Sequence, residues 1–393
     1  MKATELNLKN KEAIEKEFKR IGVYPQGIEI MTPKFQFKII KLKELDSRAA
    51  NIIKQEMLSA GGEAALSKDA VENTGKATDV LLAGTLRQYK DLTEKLKKQP
   101  FGLDKIAEEL DTVLKKKRLE PLKCGTKTLA FDKPLIMGVL NVTPDSFSDG
   151  GKYNTEKKAI EQAKKMIEEG TDIIDIGGES SRPGAEPVPE KEELERVIPV
   201  IKAIKGLAPI SIDTYKPEVA EKALEAGACM LNDIKASDEM IELAAKHKVP
   251  IVLMHMKGTP KTMQKAPKYE NVMDEVLGFL EERANKAKDL DVQCIIDPGI
   301  GFGKTTQNNL EIIHRLEEFK AIGAPILLGT SRKTFIGKIT GLPPEERLEG
   351  TIASVVVSAL NGANIIRVHD VKESKRALQI TEAIKKWQEH SSA

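Results

Sequence analysis

The sequence has few cysteines and few aromatic residues, and it carries no excess of charge of either sign. The three cysteines, Cys124, Cys229 and Cys294, lie far apart in the chain, and this odd, scattered set predicts neither a disulfide framework nor a zinc site. The 62 basic side chains are nearly balanced by 60 acidic ones. Electrostatics therefore gives no reason to expect binding to nucleic acid or to an anionic membrane.

Long apolar runs are also absent from the sequence. No uninterrupted hydrophobic stretch approaches the ~20 residues that a membrane-spanning helix needs, and residues 1–7 lack the apolar centre of a signal peptide. We therefore expect a cytoplasmic protein with no membrane partner. The chain has 393 residues, of which 40% are hydrophobic, and this length exceeds one average domain, so it predicts two folding units.

Residues 1–125 are predicted to form the first unit, a small α/β module. Alternating apolar residues predict strands at 27–31, 35–42 and 78–84. Helical spacing of apolar residues predicts helices at 46–58, 86–98 and 103–117. This part contains none of the motifs found later in the chain, so the sequence does not indicate what the module does.

Residues 126–393 are predicted to form the second unit, a (β/α)8 TIM barrel. From residue 134 onward, short β-branched apolar runs alternate with amphipathic stretches of helical length. Strands separated by helices predict parallel pairing, and eight such units in roughly 260 residues fit a closed barrel better than an open sheet. The predicted strands are 135–140, 173–177, 210–213, 230–233, 251–255, 294–297, 326–329 and 365–369.

Polar residues follow every one of these predicted strands. The carboxyl ends of barrel strands share one face, where barrel enzymes build their active sites, so these residues are expected to line one mouth. They are Asn141, the run 179–185, Asp213, Asn232, His255, Asp297, the run 331–333, and Arg367 with His369.

Four of the mouth residues predict a flat ligand with a hydrogen-bonding edge. Asp213, Asn232, Asp297 and Lys333 come from apolar strand contexts, where a buried charge needs a partner. Two carboxylates, an amide and an ammonium can bind a ring that presents amino and amide groups. The alternative is a structural Asp–Lys pair across the barrel.

A second group predicts an anion beside that ring. Arg182, Arg332, Arg367 and His369 are suited to phosphate or carboxylate, because guanidinium groups donate paired hydrogen bonds. Asn141 and the acidic loop at 145–149 offer oxygen ligands to a hard cation such as Mg²⁺. The alternative for that loop is a turn without a metal.

The glycine-rich run at 299–305 resembles a phosphate-binding loop only superficially. A Walker A motif needs glycine at the position of Pro298, which excludes an ATPase of that class. We interpret the glycines as allowing the backbone to approach the flat ligand, with Phe302 packing on a ring face. His255 is interpreted as a packed residue at a barrel-strand end.

These motifs closely resemble those of the dihydropteroate synthases of folate biosynthesis, over roughly residues 130–390. The resemblance implies condensation of a dihydropterin methyl pyrophosphate with 4-aminobenzoate, a homodimer, and Mg²⁺ near Asn141. Two rival interpretations are a pterin-dependent methyltransferase domain and a non-catalytic pterin-binding regulatory protein. The matching motifs are 137–151, 175–185, 211–214, 231–234, 297–304, 331–333 and 367–370.

The resemblance also implies a role for each matching residue. Asp213, Asp297 and Lys333 are the expected catalytic residues. The implied pterin pocket is Asp213, Asn232, Asp297 and Lys333, to which the interpretation of the glycine-rich run adds Phe302. The implied pyrophosphate contacts are Asn141, Arg367 and His369, to which the anion group adds Arg182. The expected 4-aminobenzoate residues are Phe147, Ser181, Arg182, Pro183 and Thr334. Ser181 and Thr334 exchange the family's usual Thr and Ser but retain the hydroxyl.

Overall fold

The computed structural model describes residues 2–8, 10–72, 76–115, 118–143, 152–180, 186–259, 261–263 and 267–390. The chain divides into two compact units. One comprises residues 1–118 and the end of the last helix from Lys385, and the other is Leu119–Ile384. The predicted domain boundary between residues 125 and 126 stays a prediction.

The N-terminal unit contains a three-stranded antiparallel sheet with the strand order β1-β3-β2 and six helices among its described residues. One face of the sheet is buried: Leu42, Val80 and Leu82 lie in a cluster with helical residues such as Ile53 and Leu92. Its elements are α1 (Lys11–Arg20), α2 (Pro25–Phe35), β1 (Phe37–Leu45), α3 (Ser47–Ser59), β2 (Glu63–Leu66), α4 (Lys68–Val71), β3 (Thr78–Thr85), α5 (Leu86–Leu96) and α6 (Leu103–Leu114).

The strand predicted at residues 27–31 is wrong, because these residues belong to helix α2. Pro25 lies in the first turn of this helix, where its fixed φ suits a helix and its missing N–H is not needed. The buried residues Ile28 and Thr32 are spaced as on one face of a helix. Two nearby isoleucines imitated strand alternation in a window too short to distinguish the two periods.

The second unit is built on eight parallel strands, whose pairing order is β11-β10-β9-β8-β7-β6-β13-β12. The two ends of this order are joined by a parallel bridge between Ile296 and Ile326, and the Ile296 amide donates to the Pro325 carbonyl at 2.9 Å. The sheet, with helices between its strands, therefore fits the predicted TIM barrel.

The elements of this unit follow the predicted alternation of strand and helix. The hairpin and the barrel strands are β4 (Leu122–Cys124), β5 (Lys127–Leu129), β6 (Leu135–Asn141), β7 (Ile173–Gly177), β8 (Ile210–Asp213), β9 (Met230–Asp233), β10 (Ile251–Met254), β11 (Cys294–Asp297), β12 (Leu327–Leu328) and β13 (Ile365–Val368). The helices are α7 (Lys152–Glu168), α8 (Glu190–Ile204), α9 (Pro217–Ala226), α10 (Asp238–His247), α11 (Val272–Asp289), α12 (Thr306–His314), α13 (Thr334–Thr340), α14 (Leu348–Leu360) and α15 (Val371–His390), with 3-10 turns at Leu316–Ile322 and Pro344–Glu346.

The interior of the barrel changes from apolar to polar along the strands. Successive strand residues point to opposite faces, and seven of the eight strands contribute to an apolar cluster with Leu122 and Cys124 of the hairpin. The strand members of that cluster are Leu135, Met137, Ile173, Met230, Val252, Ile295, Leu327 and Ile365. Two residues further along four of these strands stand Asp175, Asn232, Asp297 and Arg367. The polar site therefore rests on an apolar floor.

Two expectations from the composition can be compared with the structure. The thiols of Cys124, Cys229 and Cys294 are free. No helix in the described part of the chain is long and apolar enough to cross a membrane.

Candidate active site

Asp213, Asn232, Asp297 and Arg367 come together at the carboxyl end of the barrel. Arg367 Nη2 donates to Asp213 Oδ2 at 2.6 Å, and Asp297 Oδ1 accepts the Gly299 amide at 2.7 Å. Asn232 and Asp297 are 5% and 7% exposed. Asp213 pairs with Arg367, and this arrangement replaces the Asp–Lys pair that the sequence left as an alternative.

Burial is the main cause that shifts the pKa of the two carboxylates, Asp213 and Asp297. It raises the pKa of Asp213 to about 7, although the charge of Arg367 opposes the shift. The pKa of Asp297 is also raised by burial, against the Gly299 amide and the charge of Lys333. Each carboxylate therefore gains from a ligand that donates hydrogen bonds to it.

Lys333 and Phe302 form one wall of the site. The Lys333 ammonium lies 4.3 Å from the centre of the Phe302 ring, a distance at which a cation is attracted to an aromatic face. Burial, followed by the charge of Arg367, lowers the pKa of Lys333 to about 8. Thr334, the next residue, begins helix α13 and is exposed.

His369 is held neutral next to the arginine. Burial is the main cause that lowers its pKa to about 3, and the charge of Arg367 adds to it. Its Nδ1 lies 3.0 Å from Ser331 Oγ, which also accepts the backbone N–H of His369 at 3.3 Å. The serine hydroxyl can donate to Nδ1, which leaves the proton of the imidazole on Nε2 as a donor for an anion.

The structure assigns Arg332 to a different interaction from the one predicted. Its guanidinium donates to both oxygens of Asp370, from Nε at 3.1 Å and from Nη2 at 2.5 Å. Arg332 is exposed and has a left-handed backbone with φ of 56°. It therefore stabilises the loop after β13, and its charge also helps to lower the pKa of His369.

Asn141 ends strand β6 and is partly buried. It is in register with Gly177 of β7, so a side chain of minimal size stands next to it. Among the described residues, no group of three His, Cys, Asp or Glu side chains could hold a metal ion. The metal contact predicted for Asn141 stays a prediction.

Several predicted residues lie outside the described ranges. These are Phe147, Ser181, Arg182 and Pro183, together with the acidic loop at 145–149. Glu179 lies just before the undescribed residues 181–185. Its carboxylate accepts from Lys216 Nζ at 2.5 Å and from Tyr215 OH at 3.0 Å. Lys216 also donates to the Val188 carbonyl at 2.5 Å, so Glu179 has a structural role.

Asp175 was not predicted as a site residue, and it is fully buried beneath the mouth. Its Oδ2 accepts from Arg367 Nε at 2.6 Å and from Asn232 Nδ2 at 2.9 Å. It lies inside an apolar strand and not at its end. The available signal was a lone carboxylate in a buried strand, where a charge requires a partner.

Lys304 was also missed, and it braces the glycine-rich loop. Its buried ammonium lies 2.9 Å from His255 Nδ1 and donates to the carbonyl groups of His255, Gly299 and Phe302 at 3.0–3.2 Å. Burial lowers the pKa of Lys304 to about 7. His255 is thus a packed residue, as predicted.

Comparison with known proteins shows which family this chain is similar to. The family model described as "pterin binding enzyme" matches residues 137–369. A dihydropteroate synthase of Clostridium beijerinckii is 50% identical over 273 residues, which are 67% of this chain and 99% of that protein. A solved structure of Xanthomonas albilineans dihydropteroate synthase with 4-aminobenzoic acid is 43% identical, with a TM-score of 0.64, and covers 68% of this chain and 98% of that one.

One further relative extends the similarity into the N-terminal unit. A probable bifunctional folylpolyglutamate synthase/dihydropteroate synthase of Halobacterium salinarum is 38% identical over 374 residues, which are 93% of this chain and 45% of that protein. The range matched by the family model contains all eight strands of the barrel except the first two residues of β6. The chain belongs to the pterin-binding enzymes and, among them, to the dihydropteroate synthases, which are transferases.

Proposed function

We propose that this chain joins a (7,8-dihydropterin-6-yl)methyl pyrophosphate to 4-aminobenzoate, giving 7,8-dihydropteroate and pyrophosphate. The observation that carries this proposal is the meeting of Asp213, Asn232, Asp297 and Arg367 at one barrel end, next to Lys333. The set offers acceptors and donors to a flat ring and a guanidinium to an anion beside it.

The pterin ring is proposed to bind between the two carboxylates and Lys333, above Phe302. Asp213 and Asp297 accept hydrogen bonds from ring N–H groups, and Lys333 donates to the ring carbonyl. As the bond between the methylene carbon and the pyrophosphate oxygen breaks, positive charge spreads into the ring. The two nearby carboxylates stabilise this charge, and binding more tightly to the transition state than to the substrate accelerates the reaction.

The departing pyrophosphate is proposed to meet Arg367, His369 and Asn141. Arg367 supplies a permanent positive charge, and neutral His369 donates from Nε2. The site fits a magnesium ion that takes most of its ligands from water and phosphate oxygens, because Asn141 offers one amide oxygen at the strand end. When bound, magnesium would neutralise part of the charge on the leaving group.

The aryl amine needs no strong base, because it is already a neutral nucleophile at pH 7. Its attack on the methylene carbon forms the new C–N bond, and the proton of the amine passes to solvent or to pyrophosphate. Phe147, Ser181, Arg182, Pro183 and Thr334 are proposed to hold the benzoate end, chiefly by orienting it for attack.

A homodimer and a cytoplasmic location complete the proposal. Helix α14 exposes Val357 and Leu360, which are 43% and 50% exposed. Apolar side chains of this kind on an outer helix suit a contact with a second copy. Sedimentation of the purified chain at several concentrations would measure the dimer, and a mass of one chain throughout would contradict it.

The reaction is tested by pyrophosphate release from the pterin substrate. We expect release that requires both 4-aminobenzoate and Mg²⁺, with dihydropteroate identified by mass spectrometry. Lys333→Met should slow release at least ~10²-fold, the scale of a lost charge in an active site. Lys338→Met, which changes an exposed lysine of helix α13 just after Lys333, should not. Pterin binding without pyrophosphate release would contradict the proposal.

A further inference from the structure

Asp175 connects two proposed ligand-binding residues through a single oxygen atom. This carboxylate is 0% exposed, and its Oδ2 accepts both Arg367 Nε at 2.6 Å and Asn232 Nδ2 at 2.9 Å. Arg367 reaches Asp213 through a different nitrogen, Nη2, at 2.6 Å. Asp175 therefore lies behind the mouth and contacts the ligand-binding side chains from below.

We propose that Asp175 is a positioning residue that fixes the amide orientation of Asn232 and anchors Arg367, and thereby makes the site select rings with a donor edge. The inference rests on the proposed function and names how its pterin pocket gains specificity. It concerns a residue that acts through its neighbours, not one that reacts.

The amide orientation follows from the chemistry of the pair. An ionised carboxylate can only accept hydrogen bonds, so Asn232 must direct its NH2 group toward Asp175. The carbonyl oxygen of Asn232 is then the end available to a ligand. Together with Asp213 and Asp297, the site presents three acceptors in one region, and a ring that offers N–H donors satisfies them. A ring with acceptors there would leave them unpaired.

Asp175 also keeps Arg367 in place when a ligand arrives. A ring that donates to Asp213 competes with Arg367 Nη2 for the same carboxylate. Because Nε is bound to Asp175, the guanidinium stays in the mouth, and its two terminal NH2 groups become available to an anion. Without the charge of Asp175, Arg367 would be balanced mainly by Asp213, so the ring would have to displace a stronger ion pair.

The hydrogen bonding of Asp175 is unlike that of a structural carboxylate. Its Oδ1 and the hydroxyl of Ser211, which is paired with it in register, are buried atoms for which the described residues supply no hydrogen-bond partner. Buried polar atoms in a purely structural role are normally satisfied. Asp175 is thus placed by its contacts to Asn232 and Arg367.

Asp233, the residue after Asn232 in strand β9, provides a matched control for Asp175. It is also 0% exposed, but it accepts the amides of Lys235 and Ser237 at 2.8 and 2.7 Å, and the Ser237 hydroxyl at 3.0 Å. These bonds stabilise the turn before helix α10. Replacing Asp233 removes a buried charge of the same kind without touching Asn232 Nδ2 or Arg367.

Calorimetric titration with pterin and with lumazine, its 2-oxo analogue, tests the inference. We expect the wild-type chain to favour pterin by at least ~10²-fold, because its acceptors would be left unpaired by the 2-oxo group. Asp175→Asn should reduce this preference at least ~10-fold, since an asparagine can donate as well as accept and lets the Asn232 amide turn. Asp233→Asn should lower the melting temperature but leave the preference within ~3-fold, because Asp233 bonds to Lys235 and Ser237 and to no residue proposed to contact the ring.

Kinetics separates positioning from general damage. Asp175→Asn should raise KM for the pterin pyrophosphate ~10-fold or more, while KM for 4-aminobenzoate stays within ~3-fold, because Asp175 bonds to Asn232 and Arg367 and to no residue proposed to hold the benzoate. If Asp175→Asn does not fold, Asp175→Ser replaces it, since a hydroxyl also donates and accepts. A folded Asp175 variant with the wild-type preference overturns the inference, as does an equal loss in Asp233→Asn. If the wild-type chain binds pterin selectively but releases no pyrophosphate, the proposed function fails and the titrations still decide the role of Asp175.

Discussion

At the scale of single residues, the ion pair between Arg367 and Asp213 is the interaction with which a bound ring would compete. The two groups are joined at 2.6 Å and are largely shielded from water, where an ion pair is stronger than at the surface but costs desolvation. A ring N–H that replaces the guanidinium on Asp213 restores one hydrogen bond. In the proposed reaction it would also free positive charge for the leaving group, and so couple ring binding to leaving-group stabilisation through one carboxylate.

Asp213→Asn tests whether this carboxylate acts chiefly on the transition state. An asparagine retains one acceptor, so we expect pterin pyrophosphate to bind within about tenfold of wild type, while turnover falls more than ~10²-fold because the charge beside the developing cation is lost. Titration calorimetry measures the first quantity and steady-state pyrophosphate release the second. Equal losses in binding and turnover would show that Asp213 serves binding alone.

The residues of the site differ in how well the sequence predicts them. Asp213, Asn232 and Asp297 each stand at or next to the end of a recognisable strand, and parallel strand ends must meet at one barrel mouth. Asp175 lies in the middle of its strand, and its role depends on which side chains face it across the barrel. Those distances, such as 2.6 Å to Arg367 Nε, come from barrel closure and cannot be read from spacing along the chain.

At the scale of secondary-structure elements, the glycine-rich loop after strand β11 shapes the pocket. Gly299, Gly301 and Gly303 have positive φ of 70°, 84° and 63°, a conformation that glycine adopts without strain. A Cβ on Gly299 would lie 2.0 Å from the His255 carbonyl oxygen. The loop can therefore run close to the end of β10, where Lys304 bridges the two segments.

Gly299→Ala should therefore damage the pocket as well as the fold. We expect a loss of about 2 kcal/mol or more in the free energy of unfolding, from a left-handed backbone and a clash with a carbonyl group, and weaker pterin binding because Asp297 accepts the Gly299 amide. Gly278→Ala is the control: it lies inside helix α11 with no atom within 4 Å of an added Cβ, and should stabilise by ~0.5–1 kcal/mol. Urea unfolding measures both changes. A Gly299→Ala variant as stable as wild type would contradict the predicted clash.

Elements were predicted best where the pattern repeats. The barrel strands 173–177, 210–213, 230–233 and 294–297 match β7, β8, β9 and β11, because buried strands bounded by helices on both sides leave little ambiguity. Helix α2 was mistaken for a strand, and helix α1 was not predicted, because short segments near a chain end lack neighbouring elements to fix the period. Register and barrel closure depend on contacts between distant segments.

The molecule as a whole combines a barrel that resembles complete enzymes with a unit that many of those enzymes do not contain. The Clostridium relative is matched over 99% of its length by 67% of this chain, so about a third of the chain has no counterpart in it. Each unit has hydrophobic clusters of its own: one includes Ile53, Leu82 and Tyr89 in the N-terminal unit, and another includes Met137 and Ile365 in the barrel. Separate cores of this kind are typical of domains that can fold alone.

Removing residues 1–118 while keeping helix α15 intact tests whether the N-terminal unit takes part in the reaction. We expect the remaining chain to fold and to retain kcat/KM within about threefold, equivalent to less than ~0.7 kcal/mol in transition-state stabilisation, because all the proposed site residues lie in the barrel. Circular dichroism and thermal melting establish folding, and pyrophosphate release gives the rate. The control is a point variant inside the unit, Ile53→Ala in the full chain, whose cavity should destabilise that unit without altering the rate. A folded barrel whose rate falls more than tenfold would assign the N-terminal unit a direct part in catalysis.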